Sequence, residues 1–272
     1  YVDGRYSSNS TSDLRPEAVD KFIAETVAMT KLLAPDEHRK LPDPARYEGR
    51  HAGDLGLLDE SGVSSLEPVD RRRNAKALEE AARAAPGADK IISVTSAWSD
   101  NQSDSAMVCS NGMEASEAAS SFAVWAEVSV RDEGDRKPEG FDYAVCRHRD
   151  ALPAIEKVGQ EATRRANLML GAKPDPSGEY ACVIENRVVG RVLYSLIGPL
   201  SGNAIQQKRS FLADKLGVQV GSDLLTIIDD PHVEAGLGST TYDGEGMATV
   251  KRPLYEKGVV KNFLLDTYYA SK

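Results

Sequence analysis

Histidine is scarce in this chain, with four in 272 residues. His38, His51, His148 and His232 are scattered, and none has a second histidine or a cysteine at the short spacing of a zinc-binding helix or knuckle. They read as loop or surface imidazoles. Cysteine is scarcer still: Cys109, Cys146 and Cys182 are an odd number with no close pair, which excludes a disulfide framework and fits reduced thiols in a cytoplasmic protein. No run approaches the ~20 apolar residues that cross a bilayer, so a soluble protein without a membrane partner is expected. Net charge is −9, which argues against direct nucleic-acid binding, because Lys and Arg drive that association by displacing counterions. The run Arg71-Arg72-Arg73 reads as the solvated start of a helix.

Catalytic signatures are missing as well. There is no G-x-S-x-G elbow and no P-loop, and "GEGMAT" lacks the third glycine of a dinucleotide fingerprint. The block from Asp100 to Asp104 fails as a calcium loop, since Ser105 stands where glycine is required and Asn111 where glutamate is; "SDNQSD" reads as a polar turn instead. The sequons at Asn9 and Asn101 read as chance matches, since these residues show no export signal, and the opening "YVDGRYSSNST", which has no initiator methionine, is expected to lie inside a longer protein.

What is present reads as α+β. Pro16, then Val19, Phe22, Ile23 and Val27, predict a helix capped by Ser12 or Asp13. Residues 34–66, with Pro35, Pro42 and Pro44, read as an exposed connector, and a second helix spans roughly 70–85. "KIISVTSAWSD", "SDSAMVCSN" and "SSFAVWAEVSVRD" predict an antiparallel meander, followed by a long exposed loop or hairpin tip at "DEGDRKPEGFDY", a helix over 150–170 and a strand in "PSGEYACVIENRVVG". "LLTIIDD" and "MATVKRPLYEKGVVKNFLLDTYY" read as strand, turn, strand. The expected architecture is an N-terminal α/β domain, residues 1–170, and a β-rich C-terminal domain, residues 171–272.

Within the second part, Val188, Val189, Val192, Leu193, Leu196 and Ile197 form a stripe of helical period that predicts a packed helix, with Arg187, Arg191 and Ser195 on another face. Between Asn186 and Ala213 there is no acid, imidazole or thiol, so no divalent cation is expected there. Two polar blocks remain as candidates for contact with a substrate or partner: Ser201-Gly202, and Asp243-Gly244-Glu245-Gly246. Turn and cap chemistry alone accounts for both.

The blocks "VDGRYSSNSTSDL", "SNGMEASEAASSFAVWAEVSVRDEGDRKPEGFDY", "SGNAIQQKRSFLADKLGVQVGSDLLTIIDDP", "GLGSTTYDGEGMAT" and "LLDTYYASK" resemble the TldD/PmbA family, also called TldD/TldE and once described as modulators of DNA gyrase. The resemblance implies a cytoplasmic heterodimeric zinc peptidase acting on unfolded segments or precursor peptides, with further segments before and after the residues seen here. In the TldD type a helix carries H-E-x-x-x-H and a cysteine ligand comes later. Aligned on Gly198, that motif falls on Tyr194, Ser195 and Pro199, none of them suited to zinc. The resemblance therefore implies the PmbA/TldE type: no catalytic residue and no bound cofactor in this chain, zinc in a TldD-like partner subunit, and unstructured peptides as substrates. Two other readings stand beside it. One is a peptide-binding or scaffolding homodimer without catalysis; the other is a peptidase that draws ligands from residues beyond this chain.

Overall fold

A computed structural model describes all residues, 1–272. The elements run α1 (Pro16–Thr30), α2 (Glu60–Ser64), α3 (Pro68–Arg83), β1 (Ile91–Val108), β2 (Glu114–Val130), β3 (Glu139–Cys146), α4 (Ile155–Leu168), α5 (Asn186–Ile197), α6 (Gly202–Gln206), β4 (Ile227–Asp229), β5 (Arg252–Glu256), β6 (Val259–Val260) and α7 (Thr267–Ser271). Strands β1, β2 and β3 form one antiparallel sheet in that order, and β4, β5 and β6 form a second.

The first sheet is built from period-two alternation. Phe122, Val124, Ala126, Val128 and Val130 all point to one face and are buried, whereas Ala123, Trp125 and Glu127 point to the other. Helices α3 and α4 cover the inner face: Ala82 of α3 joins Ala162 and Ala166 of α4 over Ala126, Val128 and Val130. Leu78, Val124 and Val158 continue that core. Two glycines set the spacing. A Cβ on Gly140 of β3 would collide with the backbone of Ala166, and one on Gly159 of α4 would stand 2.5 Å from the Leu78 carbonyl oxygen and 2.9 Å from the Ala82 amide. The Thr163 hydroxyl bridges the helices by donating to the Ala82 carbonyl at 2.9 Å, so the one buried hydroxyl of this seam is satisfied.

Strand β1 is held to α3 by polar contacts. Ser96 Oγ donates to the Ala75 carbonyl at 2.8 Å, and the Arg71 guanidinium donates twice to Asp100, each bond 2.6 Å. Arg71 is thus the fixed partner of a carboxylate only 5% exposed, not a purely solvated helix start. The second sheet closes around Leu200, Leu212, Leu254, Tyr255 and Val260. Its β5–β6 hairpin turns on Lys257 and Gly258, at φ 49° and 76°, the two positive values that a two-residue turn between twisted strands requires.

Several expectations are corrected. "SDNQSD" is not a turn: Asn101 to Asp104 continue β1 and pair with Ser121 to Ala118 of β2, because the hairpin's real turn lies at Ser110–Met113, where Gly112 supplies positive φ. The strand expected before α5 is absent, since residues 179–185 find no ladder partner. "TYYAS" is helical rather than extended, capped by Asp266, whose carboxylate accepts from the Tyr269 amide. Helix α1 is capped by Arg15 without a side-chain bond, while Asp13 instead pairs with the Arg15 side chain. The connector is only partly exposed, as it buries Tyr47, Leu55 and Leu57. Helix α5 forms as predicted but has no buried residue.

Two predictions follow from the inner seam. Gly159→Ala gains roughly 1 kcal/mol of helix propensity, yet the added methyl meets backbone that cannot yield, so a net loss of about 1–3 kcal/mol is expected in urea unfolding. The Arg71 hydrogen bonds hold the Asp100 carboxyl below its ordinary range, which makes this pair stabilising above the unfolded aspartate value of about 4 and lost as pH falls through the folded value. Asp100→Asn should be less stable than the parent at neutral pH, with the difference shrinking below about pH 4; a constant difference across that range contradicts the assignment.

Candidate functional site

The two polar blocks singled out in the sequence are brought together by α7. Ser201 caps α6, its hydroxyl accepting from the Ala204 amide at 3.3 Å, and Gly202 donates from its amide to the Leu264 carbonyl at 2.8 Å. A Cβ on Gly202 would lie 2.5 Å from Tyr269 Cβ, so only glycine lets α7 seat there. Gln206 donates to the Tyr269 carbonyl at 3.0 Å. On the other flank, Asp243 folds its own turn: one carboxylate oxygen accepts from the Glu245 amide at 2.9 Å and the Met247 amide at 3.0 Å. Glu245 then reaches α7, accepting from the Thr267 amide at 2.8 Å and its hydroxyl at 3.1 Å. Gly246 faces buried Met113, whose Cε a Cβ would approach to 2.7 Å, and Gly244 is open to solvent. Asp243, Glu245, Ser201 and Gly202 thus serve as caps and close-approach points around α7.

A groove runs past this turn on both sides of Arg46. One cleft of about 560 Å³ lies between Lys40–Pro44 and Asp266–Ser271, and another of about 550 Å³ between Glu48, Asp229 and Thr249. Three of the acids that line them are engaged: Asp43 caps the Ala45 amide, Asp229 pairs with Arg252, and Asp266 caps α7.

The family's zinc positions lie on or just after α5. Tyr194 is 74% exposed, with its phenol free of any bond. Ser195 Oγ donates back to the Val192 carbonyl at 2.6 Å, and Pro199 offers only its carbonyl, which accepts from Ser210 at 2.6 Å. A phenol, a committed hydroxyl and a proline do not fit Zn²⁺, which takes thiolate, imidazole or carboxylate donors. No group of three or more His, Cys, Asp and Glu side chains is assembled anywhere in the chain to replace them. The sequence did miss one convergence: His51 and His232 stack with centroids 4.6 Å apart, and the His232 imidazole meets Thr249 Oγ1 at 3.1 Å. The other two imidazoles bond the Gly56 carbonyl and the Ser271 hydroxyl. Only distance in sequence hid these contacts.

Helix α5 is pinned at its ends and bare between them. Glu185 receives two hydrogen bonds from Arg165, at 3.0 and 2.6 Å, and Arg187 bonds the Asp142 carboxylate and the Tyr143 carbonyl while lying 4.6 Å from the Tyr143 ring centroid. The side-chain bonds from Arg165 hold the Glu185 carboxyl below its ordinary range. At the far end, the Tyr255 phenol donates to the Leu196 carbonyl at 2.7 Å.

This arrangement is that of a metallopeptidase-family fold. Residues 60–170 match the PmbA/TldA metallopeptidase central domain and residues 177–272 the PmbA/TldA metallopeptidase C-terminal domain. The chain belongs to the TldD/PmbA family. It is 28% identical over its whole length to Metalloprotease PmbA of Escherichia coli O157:H7 and spans 59% of that relative. Among solved structures, a Bacteroides thetaiotaomicron VPI-5482 protein whose proposed role is modulator of DNA gyrase superposes with TM-score 0.94 at 37% identity, over 100% of this chain and 61% of that one. TldE from Thermococcus kodakarensis shares the fold, with TM-score 0.76 at 23% identity over 96% of this chain and 57% of that one. The chain therefore spans about three fifths of the relatives it matches.

The α7 junction yields a prediction. Glu245→Ala removes the acceptor for the Thr267 amide, and loss of such a cap costs about 1 kcal/mol. Amide exchange at Ala270, which bonds the Asp266 carbonyl, should accelerate, while exchange in β2 stays unchanged.

Proposed function

We propose that this chain is the metal-free, PmbA/TldE-type subunit of a TldD/TldE-type peptidase, supporting cleavage of unfolded or precursor peptides by a heterodimer whose zinc is held by the TldD-like partner. The observation that carries the reading is the substitution of Tyr194, Ser195 and Pro199 at the three positions where the TldD type places its H-E-x-x-x-H ligands. The chain supplies no donor set for the ion, so its role is to bind and position. In this reading it folds as two units divided near residue 170 and works in the cytoplasm. No helix of the chain is long and apolar enough to cross a membrane.

Strand β1 supports the peptide-handling part. It lies at the edge of its sheet and runs for 18 residues with β2 on one side only, and a long free edge accepts an extended peptide through backbone bonds that ignore sequence. The turns at Ser201-Gly202 and Asp243–Gly246 act in this reading as the rigid frame beside which a substrate or partner segment lies. A homodimer without catalysis is the alternative.

The test is reconstitution. The chain alone should leave an unstructured casein peptide intact; mixed with its cognate TldD-like subunit it should form a stable complex that cleaves the peptide, with activity rising until the two chains are equimolar. A partner whose activity is indifferent to this chain overturns the reading. A self-associated chain that binds the casein peptide and ignores the TldD-like subunit favours the homodimer.

A further inference from the structure

We propose that α5 and the outer face of the first sheet form a docking surface for an unfolded peptide bearing an aromatic or aliphatic residue followed by a carboxylate. The inference rests on the peptide-handling reading above and adds to it a place and a side-chain preference.

The surface follows from the alternation that builds the core. With α3 and α4 on the inner face, the outward residues of β2 and β3 meet as cross-strand pairs, Trp125 with Tyr143, Ala123 with Val145 and Glu127 with Phe141. Apart from Arg187 of α5, which lies over the Tyr143 ring, no element within residues 1–272 covers them, and Phe141 is 49% exposed. Beside them stands α5, whose Val192 is 45% exposed. A 12-residue helix is marginal in water by itself, and this one is held by its end contacts while its apolar stripe is left half bare. Such a face, preorganised but uncovered, marks an interaction site.

Its shape and charge specify the occupant. Two adjoining concavities share Phe141 and Tyr143: one of about 280 Å³ also lined by Trp125 and Val145, the other of about 200 Å³ closed by Val188 and Arg191 of α5. The first is almost wholly apolar and suits an aromatic or branched side chain. The second is cationic in a distinctive way. Arg165 is committed to Glu185 and Glu161, and Arg187 to Asp142, whereas Arg191 has neither an ion pair nor a side-chain hydrogen bond within the chain. A carboxylate entering the second concavity therefore meets an uncommitted guanidinium beside an aromatic wall, where charge-assisted bonding is strongest. A second copy suits the surface less well, because a two-fold contact centred on it sets Arg191 against its own equivalent.

Fluorescence anisotropy on the purified chain, with fluorescein-labelled Gly-Ser-Leu-Phe-Asp-Ser-Gly, tests the proposal without any cleavage step, so its failure leaves the reconstitution result untouched. The peptide should bind roughly five- to tenfold more tightly than versions with Lys for Asp or Ser for Phe. Arg191→Glu should reverse the Asp-over-Lys preference, Arg191→Lys should keep it, and Tyr143→Ala should weaken the Phe-containing peptides toward the Ser version. Arg191 holds no structural contact, and an unchanged circular dichroism spectrum and melting temperature will confirm that the fold survives its replacement. Equal binding of all three peptides, or a preference indifferent to Arg191→Glu, overturns the proposal. Two further results also overturn it: a self-associated chain made monomeric by Val192→Asp, or displacement of bound peptide by the TldD-like subunit, since each assigns the surface to a subunit interface.

Discussion

The close approach of α4 to β3 and α3 fixes the rest of this structure. Where Gly140 and Gly159 lie, a single methyl would displace backbone, and the alanine-rich seam of Ala82, Ala126, Ala162 and Ala166 exists because the helices come that near. Small residues give up buried area per side chain but gain contact along the whole seam, since dispersion depends on fit. Once both helices lie on one face of the sheet, every odd-numbered position from Ala123 to Glu127 must look outward. The exposed aromatic face beside α5 is thus a consequence of the core, and the ion pairs from Arg165 and Arg187 tie α5 to the edge of that face.

The second half is organised differently. Its strands are short, and its order comes from caps: Ser201 on α6, Asp243 on its own turn, Asp266 and Glu245 on α7. Carboxylates in this region are spent on backbone amides, as at Asp243 and Glu245, or on Lys and Arg partners, as at Asp229, Asp230 and Glu256, and no three of them gather with His or Cys around a common point. In the proposed role, the rigid surface, the free strand edge and the partly bare helix of this family fold are the parts that would hold an extended chain in place.

Local periodicity was legible from sequence, long-range satisfaction was not. The alternation of Phe122 to Val130 foretold β2 and its buried face, and the valine stripe foretold α5. Asp100 to Asp104 misled because polar residues are ordinary on an exposed hairpin extension, where no burial pattern marks the strand. The expected packing of α5 held only in part: Leu196 and Ile197 pack against the second core while Val188 and Val192 stay exposed, because an apolar stripe reports that a helix needs a partner, not that its own chain supplies one along its whole length. The polar blocks were visible as turns, but their convergence on α7 depends on contacts such as Glu245 with Thr267 and Gly202 with Tyr269, between residues more than twenty apart. The stacking of His51 on His232 was beyond reach of any spacing argument.

The central claim is that this polypeptide contributes binding surface and no metal to peptide cleavage. Equilibrium dialysis of the purified chain against buffered Zn²⁺, followed by elemental analysis after desalting, tests it most directly. The account predicts far less than one zinc per chain, and no difference between this protein and its Ser195→Ala variant. One firmly held zinc per chain, released together with a chelator-sensitive peptidase activity, would contradict it.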